Sequence, residues 1–266
     1  MGFEYKGATA LITGASSGIG EAFAKILAER GCNLILVARS EDVLNQLAGD
    51  LHDDHGVTVD VMAADLSEAV NCANVADAAD ALGRRVDLLI NNAGFGTMGP
   101  FVKADADRER QEIDLNVTAL TDLCHAFLPG MVERGQGAVI NVASTASFQP
   151  MPYLAVYAAT KAYVRSLSEA LHAECKDRGV TVTALCPGPV ATNFFEATQS
   201  KDIDGMVKKV AGIMMTSEQV ALDALKAMEK GRAVVVPGAP NKLGAMAASL
   251  TPNRMLTSIM AKTMKG

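Results

Sequence analysis

The chain has 266 residues, 49% of them hydrophobic, and carries 24 basic against 30 acidic side chains for a formal charge of −6. That length and apolar fraction suit one large α/β domain with a substantial core, and no Pro/Gly/Ser-rich linker or internal repeat divides it. The acidic balance argues against a nucleic-acid binder, and widely spaced Cys32, Cys72, Cys124, Cys175 and Cys186, with no C-x-x-C, argue against a disulfide framework or a zinc site.

The opening stretch, MGFEYKGATALITG, has no signal-peptide core, and no apolar run reaches the length of a membrane span, so a cytoplasmic location is expected. The first strand is read at ATALITG (8–14), running into TGASSGIG. Gly14 can take positive φ, Gly18 lets the backbone approach a pyrophosphate, and Gly20 permits the following helix to pack closely on the sheet. A glycine-rich turn that follows a strand and opens a helix predicts a dinucleotide site, which takes in Ser16, Ser17 and Ile19 of the same turn.

The helix GEAFAKILAERG ends at Gly31, and the second strand NLILVAR (33–39) ends at Arg39 and Ser40. Ala38 stands where an NAD site keeps an acid for the ribose 2′-hydroxyl. A guanidinium attracts a 2′-phosphate instead, which predicts NADP(H); the alternative is a solvated loop arginine. Beyond the helix SEDVLNQLAGDLHDD, the third strand VTVDVMAAD (57–65) ends at Asp65 and Leu66. Asp65 either accepts from the adenine amino group or caps the next helix at DLSE.

The helix SEAVNCANVADAADAL, with Ser67 at its N-cap, leads to the fourth strand VDLLINNAG (86–94). A long helical stretch, DRERQEIDLNVTALTDLCHAFLPGMVERG, stops at Gly135, and the fifth strand GAVINVAS (137–144) ends at Ser144. In YAATKAYVRSLSEALHAECKDRG, stopping at Gly179, the four-residue spacing puts Tyr157 and Lys161 on one helix face. The sixth strand, VTVTALCPG (180–188), the helix SEQVALDALKAMEKG between an N-cap Ser217 and Gly231, and the seventh strand, RAVVVPG (232–238), complete the series. Strict alternation with continuously apolar strands predicts an α/β, three-layer doubly wound (Rossmann) fold on a mainly parallel seven-stranded sheet. Ligands bind such sheets beyond the strands' carboxyl ends.

Residues 1–238 read as one domain and 239–266 as its helical extension. The extension carries Lys242, Arg254, Lys262 and Lys265 and no acid, with a helix restart at Pro252 and a stripe of Met255, Leu256, Ile259, Met260 and Met264. It would dock on its own subunit or a partner subunit, or make peripheral contact with an anionic membrane.

With TGASSGIG, NNAG (91–94), YAATK and PGPVATNF (187–194) in this order, the chain resembles the short-chain dehydrogenase/reductase family, in its single-domain branch, over about residues 5–236. The resemblance implies Tyr157 as general acid/base, its phenol pKa lowered by Lys161 and by the oxidised nicotinamide ring. Lys161 would also bond the nicotinamide ribose, Ser144 would polarise the substrate carbonyl, and Asn116 would kink a helix and hold a water of a proton relay. Asn91, Asn92, Ala93 and Gly94 would lie against the adenosine ribose. Pro187, Gly188, Val190 and Thr192 belong to the segment that holds the carboxamide. Family habit implies a homodimer or homotetramer packed through the helices of Asn116 and Tyr157.

The less regular segments 95–100, 145–156 and 193–215 carry Phe95, Met98, Phe148, Met151, Tyr153, Phe194, Phe195, Met206, Met214 and Met215. They suggest a greasy, adaptable pocket for an apolar ketone or 3-oxoacyl group, reduced to an alcohol. The alternative is a protein that holds the cofactor as a redox sensor or scaffold without significant turnover.

Overall fold

The computed structural model describes residues 3–192 and 211–264. Its seven strands are β1 Thr9–Thr13, β2 Asn33–Ala38, β3 Val59–Ala63, β4 Val86–Asn91, β5 Gly137–Val142, β6 Val180–Leu185 and β7 Val234–Val235. All pair in parallel, in the order β3-β2-β1-β4-β5-β6-β7. The helices are α1 Gly18–Glu29, α2 Glu41–His55, α3 Ala69–Ala81, α4 Ala106–Ile113, α5 Leu120–Glu133, α6 Ala155–Cys175, α7 Ser217–Glu229, α8 Ala239–Leu250 and α9 Asn253–Met264.

The strands are apolar throughout because alternate residues enter two separate cores. Ala10, Ile12, Leu34, Leu36, Leu88 and Ile90 pack on Phe23 and Leu27 of α1, Leu44 of α2 and Leu225 of α7. Their neighbours Leu11, Ile35, Val37, Leu89 and Val139 pack on Val75 of α3, Leu123 and Phe127 of α5 and Val164 of α6. Two helical layers on one sheet are the doubly wound architecture the alternation predicts.

Several local expectations change. The strands stop short of their apolar runs, β7 retaining only two residues. The stretch 106–133 is interrupted by a π-helical segment, Asp114–Ala119, which contains Asn116. Thr216, not Ser217, caps α7: its side chain accepts from the Gln219 amide while Gln219 answers with the reciprocal bond of a capping box. Ser67 is not the cap of α3, whose cap position is Glu68; Ser67 instead donates its amide and hydroxyl to Asp65. The predicted glycine stops Gly31, Gly135, Gly179 and Gly231 all take positive φ.

The helices α8 and α9 meet at Thr251 and Pro252. The first buries Asn241, Ala245 and Ala248 against the body, and the second buries Leu256. The expected single stripe is split, because Met255 and Ile259 lie on an exposed flank. Lys265 lies outside the described residues.

Candidate functional site

The sheet order puts β2 and β3 on one side of the β1–β4 junction and β5 and β6 on the other, the point where doubly wound sheets hold ligands. There the strands' carboxyl ends open onto one cleft of about 730 Å³. It is lined by Gly14, Ser16, Ser17, Gly18 and Ile19 after β1, Arg39 and Ser40 after β2, and Asp65 and Leu66 after β3. Asn92, Ala93, Gly94, Ser144, Tyr157, Lys161, Pro187, Gly188, Val190 and Thr192 line the rest. Of the described catalytic and cofactor residues expected from the sequence, Gly20, Asn91 and Asn116 do not line it.

The turn after β1 is shaped by close approaches. Gly14 has φ +64°, and a Cβ at Gly20 would stand 2.2 Å from the Gly14 carbonyl oxygen, so α1 starts as close to β1 as backbone allows. The Asn92 side chain donates to the carbonyls of Thr13 (2.9 Å) and Gly14 (3.1 Å), fixing the turn. Thr13, which sequence reasoning passed over, accepts at Oγ1 from the amides of Asn92 and Ala93 and donates to the Ile90 carbonyl. Asn91 points away from the cleft: it is buried and donates to Asn141 Oδ1 at 2.9 Å, since adjacent residues of a strand face opposite sides.

At the far side, Arg39 is 73% exposed, with Nη1 3.9 Å from Asp65 Oδ2. The other oxygen of Asp65 accepts from the Ser67 amide and hydroxyl, so the carboxylate closes the turn ahead of α3, without capping that helix, and borders the cleft. Burial would raise its pKa, but the Ser67 bonds and the Arg39 charge outweigh it and hold the carboxyl below its ordinary value.

Around Tyr157 the groups gather from two elements. Ser144 follows β5 and accepts from the Ala146 amide; Tyr157 and Lys161 come from α6. Lys161 is buried, donates to the Val142 carbonyl at 2.8 Å, and has Nζ 5.9 Å from the Tyr157 ring centre. Burial pushes Tyr157 up to about 12, against the opposing pull of a Ser144 hydrogen bond. The ammonium is turned toward the Val142 carbonyl, and burial draws Lys161 itself down to about 8.

Asn116 stands behind this group. The widened π turn lets its amide reach sideways, accepting from the Phe95 amide and donating to the Phe95 carbonyl and Thr160 Oγ1. A Cβ on Gly94 would lie 2.7 Å from Asn116 Oδ1 and 3.3 Å from Lys161 Nζ, so only glycine lets the loop pass. Four helix residues earlier, Glu112 is wholly buried and accepts from the Thr97 amide (2.8 Å) and hydroxyl (2.7 Å).

Phe95, Met98 and Met151 line the cleft as the sequence suggested, joined by Arg108, Gln111, Leu115, Gln149 and Leu154, which it did not single out. Phe148 is spent on packing, with the Arg165 guanidinium 4.3 Å above its ring. Tyr153, at φ 69°, borders a neighbouring cavity of about 200 Å³ together with Met98. Met215 bridges to Val190 and exchanges backbone bonds with Pro189 and Ala191, so it braces the segment after β6. Phe194, Phe195 and Met206 lie outside the described residues.

A family model described as short chain dehydrogenase matches residues 8–203. The very-long-chain 3-oxoacyl-CoA reductase of Anas platyrhynchos is 37% identical over 192 residues, which cover 71% of this chain and 61% of that protein. The inactive hydroxysteroid dehydrogenase-like protein 1 of Homo sapiens is also 37% identical, over 191 residues covering 71% and 57%. The chain thus spans about 60% of the length of these curated relatives. A short-chain dehydrogenase from Sphingobium yanoikuyae, solved with NADPH, superposes with a TM-score of 0.81 at 34% identity, covering 91% of this chain and 93% of that one. A relative from Burkholderia phymatum, solved with NAD, gives 0.82 at 27% identity, covering 92% and 93%.

Proposed function

The chain belongs to the short-chain dehydrogenase/reductase family, and from that membership and the chemistry of its cleft we propose that it is an NADP(H)-dependent reductase of apolar ketones or 3-oxoacyl groups. The observation that carries this reading is the meeting, in one cleft, of the glycine turn and Arg39 with Ser144, Tyr157 and Lys161. Reduced nicotinamide, when bound, supplies the hydride.

The remaining steps are assigned to side chains of this chain. Ser144 is placed to hydrogen-bond the carbonyl oxygen and stabilise the charge that develops on it. With a phenol pKa near 12, Tyr157 is protonated at neutral pH, the state required of a proton donor. An alkoxide is more basic than a phenolate, so proton transfer from Tyr157 to the product oxygen runs downhill. Lys161 and Asn116, side by side at Gly94, would orient the cofactor ribose and the route by which the phenol recovers its proton.

NADP(H) is preferred on the strength of Arg39, whose exposed guanidinium can turn from Asp65 to a 2′-phosphate. Phe95, Met98 and Met151 at the cleft wall favour an apolar substrate. A homodimer or homotetramer through α5 and α6 and a cytoplasmic location complete the reading. A fluorescence titration with NADPH and NADH, followed by an apolar ketone and 3-oxoacyl thioester panel, tests it; tighter NADH binding, or no consumption of NADPH across the panel, would count against it.

Cofactor binding without turnover is the second reading, favoured by the 37% identity to a relative described as an inactive hydroxysteroid dehydrogenase-like protein. It predicts that Tyr157→Phe changes nothing measurable beyond the Tyr157 signal itself. Peripheral contact of 239–266 with an anionic membrane is compatible with either, and is favoured by the exposed Leu243, Met246 and Leu250 of α8. Co-sedimentation with anionic vesicles, with and without the segment, tests it.

A further inference from the structure

Among the described residues, only Asp87 and Glu112 are buried acids, and they are satisfied differently. Asp87 accepts from the Thr9 amide at Oδ2, and its Oδ1, though without a hydrogen bond, is neutralised by an ion pair with Arg85 Nε at 2.7 Å. Glu112 spends Oε2 on Thr97, while Oε1 is buried with no hydrogen-bonding partner among the described residues. A buried carboxylate with half its acceptors idle is costly, and such groups are kept where their charge has a use.

The surroundings show where that charge acts. Glu112 and Asn116 lie four residues apart and grip the same loop, Glu112 at Thr97 and Asn116 at Phe95. That loop begins at Gly94, whose missing Cβ leaves Asn116 Oδ1 and Lys161 Nζ in immediate contact with it. Lys161 is itself buried and bonded to a neutral carbonyl, that of Val142. After burial, Glu112 is the leading influence on Lys161, and it opposes the loss of the ammonium proton. The other titratable groups in play are Glu109, one turn earlier on α4, acting on Glu112; Tyr157, which Glu112 also influences; and Cys186, acting on Lys161.

We propose that Glu112 is a positioning residue for the reaction: the buried counter-charge that keeps Lys161 an ammonium, held in place by Thr97 so that loop 94–97 and the Asn116–Lys161 pair form one unit. The inference rests on the cofactor-dependent reading of the cleft. Without the carboxylate, the cost of burying Lys161 is met by a carbonyl alone, and the lysine gives up its proton at lower pH. A neutral lysine donates more weakly to a ribose hydroxyl, so cofactor affinity falls where the ammonium is lost.

The test is the dissociation constant of NADPH, read by nicotinamide fluorescence from roughly pH 7 to 9.5. In the unaltered protein, binding should weaken as pH rises through about 8, where burial has placed the lysine. Glu112→Gln keeps the volume and an acceptor for Thr97 but removes the charge, and should move that onset about one pH unit lower. Glu112→Asp, which keeps the charge, and Thr97→Val, which removes only the hydroxyl tie, should leave it in place. Should Glu112→Gln fail to fold, the Asp and Val variants still decide: an onset moved by Thr97→Val, with the charge intact, makes the role purely structural and overturns the proposal. An unmoved onset in Glu112→Gln, or binding indifferent to pH in both Glu112→Gln and the unaltered protein, overturns it equally. Because binding is read without turnover, failure of the carbonyl panel leaves this test standing.

Discussion

Arg39 and Tyr157 divide the chemistry of the cleft between them. Among the described residues Arg39 meets a carboxylate oxygen at 3.9 Å, and on the proposed reading its charge serves a ligand phosphate. Arg39→Ala should weaken NADPH by about tenfold, the loss of one solvent-screened charge-assisted contact, and leave NADH within about twofold. Equal losses for both cofactors, in parallel titrations, would make the residue structural. Tyr157→Phe removes only the hydroxyl and should cut carbonyl reduction by about 10²–10⁴-fold while NADPH affinity stays within about threefold. At this scale the sequence showed which groups come together, because β1, β5 and α6 are strong local patterns with their special residues near or just beyond their ends. It did not show their electrostatics. The Tyr157–Lys161 spacing suggests a loosened phenol, yet the ammonium's direction toward Val142 and the depth of burial depend on packing that no four-residue spacing encodes. Glu112 was missed for the same reason: in DRERQEIDLN it is one acid among several, and only the fold buries it.

Element type was legible almost throughout, since fully buried strands and amphipathic helices leave different periods. Element ends were less so. Single backbone bonds carry the pairing one residue past β3 and β7, at Thr58, Ala64 and Ala233, but regular strand geometry ends before the apolar runs do, and periodicity cannot register where it ends. The cap of α7 was available in the sequence: Thr216 has Gln219 three residues on, whereas the position three after Ser217 is Val220, which cannot close a capping box. The structure therefore ranks two adjacent hydroxyls. Thr216→Ala should cost about 1 kcal/mol, seen as a melting temperature lowered by about 2–4 °C, while Thr216→Ser should recover most of it. A loss confined to Ser217→Ala would reverse the assignment. The π segment falls where the resemblance implied a kink at Asn116, and it has a physical source: a helical Asn whose amide bonds sideways to Phe95 and Thr160 needs the wider turn.

At the scale of the whole molecule, the question is whether 239–266 is an appendage or part of the machine. The segment reaches back to the cleft twice. Asn241 of α8 is buried and donates to the Pro237 carbonyl, and a Cβ on Gly188 would stand 2.3 Å from Asn241 Oδ1. The segment after β6 therefore rests on the tail, as it rests on Met215 from the other side. Gln149, which lines the cleft, approaches Met260 of α9 at 3.9 Å. These contacts argue that the tail belongs to the same cooperative unit as the sheet. Asn241→Ala should then cost about 1 kcal/mol of stability, from a lost buried hydrogen bond, and also weaken NADPH severalfold, because Pro187 and Gly188 lose their support. Two readouts are needed, since a tail that merely covered apolar surface would lower the melting temperature without touching the dissociation constant. Removal of 239–266 should do both more severely, exposing Ala245, Ala248 and Leu256's partners to water. If the truncated chain instead melts at the same temperature and binds NADPH unchanged, the extension is an independent element, and its exposed face on α8 becomes its reason for being there.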